Sequence, residues 1–279
     1  MRIRESLICI FVLLVGVSFV GSSYGAGHLV ESLVLHLEFD DANDITLDSS
    51  PVGQEGEAAA DGSAEPGHTT DAKIGTGAAV FDGATTSLHY CDPDGSLQAD
   101  EALTVMSWVN TPGRPDSNQC PVCFGNANDE WNLYITPDGS LGAELALKDP
   151  VSQGLPNINE NGHWQTGNTE MKIPFNEWAH MAFTYDGAHG TIYLNGEIAF
   201  QAEAVGPINK SDRCLTVGEW LSWIPLAWIP LGSVDDAAVW LAALTQDEIN
   251  NVMTHGVAAG VVAVEAAGKL ATTWADVKH

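Results

Sequence analysis

Apolar and polar positions along the chain alternate in short runs with a period of two, and Gly, Asn, Asp and Pro interrupt each run. This pattern predicts strands joined by tight turns. The clearest run is Trp178 to Gly196. There Trp178, His180, Ala182 and Thr184 alternate with Ala179, Met181, Phe183 and Tyr185, which places the two sets on opposite faces of a strand. Asp186-Gly187 breaks the alternation, Thr191 to Leu194 resumes it, and Asn195-Gly196 breaks it again before Glu197 to Ala202. Asn-Gly between alternating runs signals a hairpin, because a type I′ turn needs positive φ at both central residues. The stretch reads as a three-stranded antiparallel meander.

The same grammar runs through the rest of the chain. Leu33, Leu35, Leu37 and Phe39 form one face of a half-buried opening strand. Ala42 to Asp71 is a long Gly/Ala/Glu-rich loop. Small residues from Ile74 lead to Phe81, and Asp82-Gly83 turns the chain into Ser87 to Tyr90. Ala102 to Asn110 sets Leu103, Val105, Ser107 and Val109 against Thr104, Met106 and Trp108. Cys120 to Gly125 is a further strand. Trp131 to Thr136 and Leu141 to Leu147 make a hairpin about Pro137-Asp138-Gly139. Lys148 to Pro174 reads as loop, with a strand around His163 to Thr166. Cys214 to Gly218 and Gly232 to Trp240 close the strand series. Thr245 as N-cap, with Glu248 completing a capping box, predicts a short helix to about His255-Gly256. About a dozen short strands and one C-terminal helix predict an all-β fold, a two-sheet antiparallel β-sandwich of the jelly-roll type.

W-x-H-x-A-x-T-x-D-G followed by Y-x-N-G, within Trp178 to Gly196, resembles the central signature of laminin-G-like domains of the concanavalin A-like lectin/glucanase superfamily. Four further stretches fit that family in order: Ile74 to Gly83, Ala102 to Asn110, Gly232 to Trp240 and Leu244 to Ile249. The resemblance covers roughly Leu33 to Gly256 and implies one domain over 32–256, with an Ala/Val-rich tail at 257–279 that shows no packing pattern. It also implies a concanavalin A-like sandwich that binds carbohydrate or a surface protein. A structural calcium in this family joins the first strand, the Gly-rich turn and the last strand. At the matching positions it would be held by Asp235, by Asp40 or Asp41, and by a backbone carbonyl at Gly77.

Charge and cysteines narrow the setting. Arg2 and Arg4, the apolar run Leu7 to Val20, and Ser23 and Gly25 form a secretory signal over 1–25. The run is short for a membrane span, so the expectation is cleavage near Gly25 and a secreted or periplasmic protein without membrane insertion. The 279 residues carry 10 Lys+Arg against 37 Asp+Glu, a formal charge of −27. The acids are scattered, which describes a solvated acidic surface and disfavours nucleic acid and anionic membranes as partners. Beyond the signal lie Cys91, Cys120, Cys123 and Cys214. Structural disulfides are expected in an exported chain, and four cysteines leave three pairings open. Cys120-Pro121-Val122-Cys123 has redox or zinc half-site spacing but lacks a second half-site. Asn209-Lys210-Ser211 is a glycosylation sequon.

Catalysis is not expected. A retaining glycosidase needs two carboxyl groups about 5 Å apart, and the strand pattern E-x-D-x-x-E of the laminarinases and lichenases does not occur. Glu101, Asp129-Glu130 and Glu144 stand alone or adjacent, and adjacent residues on a strand point to opposite faces. No serine nucleophile elbow, H-E-x-x-H or phosphate-binding glycine loop occurs either. Asp92-Pro93-Asp94-Gly95 resembles the start of an EF-hand loop without its later ligands. A glycoside hydrolase of the laminarinase type and a purely structural or adhesive module are the alternatives. The candidate ligand site is Glu219 to Leu231, where Trp220, Trp223 and Trp228 sit in a stretch stiffened by Pro225 and Pro230. These rings either present a contact surface or fold back as a lid. Trp108, Trp178 and Trp240 are expected in the core.

Overall fold

The structure is a computed structural model and describes residues 28–58, 62–91, 95–126, 129–148, 157–158, 163–166, 168–220 and 226–261. The signal segment, Asp92 to Asp94, Trp223 and the tail from residue 262 lie outside the described residues. Two antiparallel sheets pack face to face. The eight-stranded sheet has the order β13 (Glu197–Glu203), β12 (His189–Leu194), β11 (Ala179–Tyr185), β6 (Leu103–Asn110), β15 (Leu231–Trp240), β4 (Ala78–Asp82) and β3 (Gly67–Thr69), with β1 (Leu33–Leu37) also paired to β15. The seven-stranded sheet runs β10 (Trp164–Gln165), β9 (Leu141–Leu145), β8 (Asp129–Ile135), β7 (Gln119–Asn126), β14 (Leu215–Val217), β5 (Leu88–Tyr90) and β2 (Gly56–Ala58).

The alternation read from the sequence decides which residues meet between the sheets. Val105, Val109, Met181, Phe183 and Tyr185 from one sheet join Phe124, Trp131, Leu133 and Leu145 from the other in a single core. The meander falls where Asn195-Gly196 predicts it, with Asn195 at φ 49° and Gly196 at φ 79°.

Three expectations need correction. Ala42 to Asp71 is not loop throughout, since β2 and β3 within it edge the two sheets. Both are three-residue Gly-bearing edges with little side chain to bury, so no apolar alternation marks them. The opening strand is buried on both sides rather than one. A bulge between Leu33 and Leu35 turns Leu33 outward, and His36 is covered by Asp236. The tail, finally, packs at its start: residues 257–261 are helical, and Val257 and Val261 are buried.

The outward face of the eight-stranded sheet is closed by α1 (His28–Glu31) and α2 (Gln246–His255). Ile249 and Val252 of α2 pack with Met106, Ala182, Trp240 and Leu29 in a second apolar cluster. Thr245 and Glu248 form the capping box at the start of α2. Trp240 therefore lies under the helices rather than between the sheets, and Trp178 stays part-exposed.

Candidate functional site

The outward face of the seven-stranded sheet is built differently. In β8, Trp131, Leu133 and Ile135 point into the core, so Asn132 and Tyr134 point away from it. In β9 the same parity turns Glu144 outward, and in β10 Gln165. Register then sets His89, Thr216, Cys123, Asn132, Glu144 and Gln165 side by side across six strands. The Asn132 amide donates to Glu144 at 3.3 Å, and the Asn132 Oδ1 is buried with no partner among the described residues. Burial raises the Glu144 carboxyl above its ordinary value, partly opposed by Asn132.

An aromatic wall stands at the end of this row. Tyr134 crosses Gly142, where a Cβ would collide with the ring, and its hydroxyl accepts from the Gln165 amide at 3.0 Å. Burial, then Glu144, pushes the phenol up to about 12. Trp228 packs on Tyr134 with ring centroids 5.2 Å apart, and Trp220 stacks on Trp228 at 4.3 Å with 20° between planes. Both indoles are part-exposed, and both lie on Cys120, Cys123 and Tyr134 rather than in the main core. The buried Trp220 indole N–H has no partner among the described residues. Cys120 and Cys123 are disulfide-bonded to each other, and Cys91 to Cys214. Residues three apart on a regular strand face opposite ways, but a register shift between Gln119 and Val122 turns both cysteines outward.

Two of the three predicted indoles thus come together, while Trp223 lies outside the described residues. Sequence reading missed the polar row, because sheet register and not local pattern aligns its members, and His89 and Thr216 come from strands far from β7 to β10 in the chain. It also treated the acids strand by strand. Glu130 and Glu144 lie on neighbouring strands, Glu130 two residues before Asn132, the residue paired with Glu144. Glu130 is fully buried with its Oε1 on the Ser211 N–H at 2.8 Å.

Two of the predicted calcium residues, Asp235 and Asp40, bind the same turn elsewhere, where β15 changes partner. Its first half pairs with β4 and its second with β1, with a bulge against β6 between Asp235 and Ala238. Asp236 adopts φ 46° there. Asp235 Oδ2 accepts the N–H groups of Lys73 and Ile74 at 2.7 and 2.8 Å, and Asp40 Oδ1 those of Thr76 and Gly77 at 2.6 and 2.8 Å. The two carboxylates hold opposite ends of one turn, and a Cβ at Gly75 would strike the Asp40 carboxylate. Asp41 does not join them; its carboxylate binds Asn43 at 2.9 and 3.0 Å. Gly77 meets Asp40 through its N–H, not its carbonyl. Asp236 binds His36 at 2.9 Å and the Val257 N–H at 2.9 Å. Asp235 is fully buried, and its Oδ1 has no partner among the described residues. Burial, reinforced by Asp236 and opposed by the two N–H groups, pushes its carboxyl up to about 7. Among the described residues no three His, Cys, Asp or Glu side chains are grouped to hold a metal.

A family model for the concanavalin A-like lectin/glucanases superfamily matches residues 82–250. No curated protein matches the chain in sequence. Among solved structures, domain 4 of AbnA, a GH43 extracellular arabinanase from Geobacillus stearothermophilus, in complex with arabinotriose, is 22% identical with a TM-score of 0.59, covering 80% of this chain and 98% of that one. The binding domain of Paraclostridial Mosquitocidal Protein 1 is 15% identical with a TM-score of 0.61, covering 81% of this chain and 52% of that one. The binding domain of botulinum neurotoxin DC in complex with SialylT is 14% identical with a TM-score of 0.56, covering 81% and 51%. The chain spans about half the length of these toxin domains. At these identities the likeness shows a shared fold.

Proposed function

The chain belongs to the concanavalin A-like lectin/glucanase superfamily, and from that membership we propose that it is an exported, non-catalytic module that binds carbohydrate on the outward face of its seven-stranded sheet. The observation that carries this reading is the aromatic wall of Trp220, Trp228 and Tyr134 beside a row of hydrogen-bonding side chains. A sugar offers a C–H face that stacks on a ring and hydroxyls that both donate and accept. The buried Trp220 indole N–H and Asn132 Oδ1, which have no partner among the described residues, are the groups a sugar hydroxyl would complement. That the similar structures include complexes with arabinotriose and SialylT supports the same ligand class.

The test is a glycan array run on the mature chain with and without calcium, with reducing ends assayed in the same wells. Binding to a defined subset, weakened at least tenfold in Trp228→Ala and without release of reducing ends, is the expected result. Release that stops when Glu144 is changed to Gln would instead establish a hydrolase, the reading favoured by Glu130 and Glu144 on adjacent strands. Binding only to a cell-surface protein would replace carbohydrate as the partner.

The proposal includes a structural calcium at the Asp235 bulge. The residues fit in part: Asp235 Oδ1 is a buried oxygen without a partner among the described residues, and Asp40 lies across the same turn. Calcium accepts carbonyl and water oxygens beside carboxylates, so two acids suffice as protein anions. A cation bound only by the folded chain adds about 2.7 kcal/mol at a hundredfold excess over its dissociation constant. Calcium should raise the melting temperature of the wild type and leave Asp235→Asn unmoved. Equal shifts in both place the ion elsewhere.

A further inference from the structure

The stretch Glu219 to Leu231 carries one charge, at Glu219, and that charge points inward. Its Oε1 accepts the Leu226 N–H at 2.7 Å. Its Oε2 lies 3.1 Å from both the Ser87 hydroxyl, which donates to it, and His89 Nε2. Ser87, His89 and Glu219 are all buried. Burial works to raise the Glu219 carboxyl, yet His89, the Leu226 N–H and Ser87 together hold it below its ordinary value. The group is therefore an anion in a made-to-measure socket, since an unpaired buried carboxylate would cost several kcal/mol.

These three residue types invite comparison with a hydrolase triad, but the geometry excludes it. Ser87 and Glu219 both face the same imidazole nitrogen, and Ser87 and His89 Nε2 are 3.1 Å apart. A triad needs the acid on one nitrogen and the serine on the other. The cluster holds something in place rather than reacting.

What it holds is the neck of the aromatic loop. Glu219 precedes Trp220, and Leu226 comes two residues before Trp228. The carboxylate thus ties the outgoing limb to the returning one, next to the bond from the Trp220 backbone N–H to the Ala227 carbonyl at 2.9 Å. The outgoing limb is fixed to the sheet by the Thr216 hydroxyl on the Glu219 carbonyl. The returning limb is fixed by the Cys120 N–H on the Trp228 carbonyl at 2.7 Å. We propose that Glu219 is the positioning residue of the ligand platform: seated between Ser87 and His89, it sets the two limbs in the register at which Trp220 and Trp228 stack. The inference rests on the reading of those indoles as the sugar-facing wall. A platform fixed before binding loses little freedom on binding, which gives the socket its use.

The stack has a signature that needs no ligand, because two indoles in contact with skewed transition dipoles couple excitonically and produce a far-ultraviolet circular dichroism couplet. Trp220→Ala and Trp228→Ala, which remove one ring each, calibrate it. Glu219→Ala should lose most of the couplet while the melting transition stays cooperative. Glu219→Gln should keep much of it, because a Gln oxygen still accepts the Leu226 N–H. If Glu219→Ala does not fold, His89→Asn, which removes one wall of the socket, takes its place and should diminish the couplet. A full couplet in a folded Glu219→Ala or His89→Asn protein overturns the proposal. Glycan binding unchanged in Trp228→Ala would instead sink the platform reading, and the couplet measurement would stand unaffected.

Discussion

Many acidic side chains of this protein act as acceptors for backbone N–H groups in turns. Asp48 takes those of His36, Ser50 and Gln54, Asp82 those of Ala84, Thr85 and Thr86, and Asp186 those of Ala188 and His189. Such use needs one acid per turn, which explains why the negative charge is scattered and not in blocks. Asp82 is held below its ordinary value: burial opposes this, but Thr85, Ala84 and Thr86 outweigh it. Glu144 is the opposite case, raised by burial. A carboxyl whose folded value lies above its unfolded value makes the folded state bind the extra proton. Its contribution to stability therefore rises as pH falls from the raised value toward the ordinary value of 4.5. Glu144→Gln should melt with less dependence on pH across that window, and an unaltered melting profile would show that Glu144 does not titrate there. The family resemblance pointed to Asp235, and local composition pointed to the indole loop. The sequence predicted the hairpin about Pro137-Asp138-Gly139 but not its register, which sets Asn132 against Glu144, and Gln165 joins through a two-residue strand with no pattern of its own.

The two disulfides serve different ends. Cys91 and Cys214 extend the β5–β14 pair by one position and close 123 residues of chain, whereas Cys120 and Cys123 close three. By chain entropy the first adds roughly 5 kcal/mol and the second roughly 2 kcal/mol. Thermal melts of Cys91→Ser/Cys214→Ser and Cys120→Ser/Cys123→Ser should rank in that order. The reverse order would mean that the short bridge, under the indoles, stabilises chiefly by packing. Strands with two apolar faces or a clean alternation were legible, as were the Asn-Gly turn and the capping box. The edges β2 and β3 were not, since pairing partners and not their own composition make them strands. The β15 bulge was invisible for a related reason: it exists where one long strand passes from β4 to β1, and only the sheet order reveals that junction.

Taken whole, the sandwich treats its two outer faces differently. Helices seal one with apolar contacts, and the other carries an aromatic wall, a polar row and a buried acid socket. The second face is the proposed interaction face, and the indole N–H of Trp220 is its most direct reporter because that group has no partner among the described residues. The nine tryptophans give up to nine indole resonances in a proton–nitrogen correlation spectrum, and Trp220→Phe assigns the one required. On titration with an oligosaccharide that binds on the array, the Trp220 indole resonance should move farthest and downfield as its N–H gains an acceptor. Saturable binding that leaves Trp220 and Trp228 unmoved, while resonances on the helix-covered sheet shift, would contradict the account.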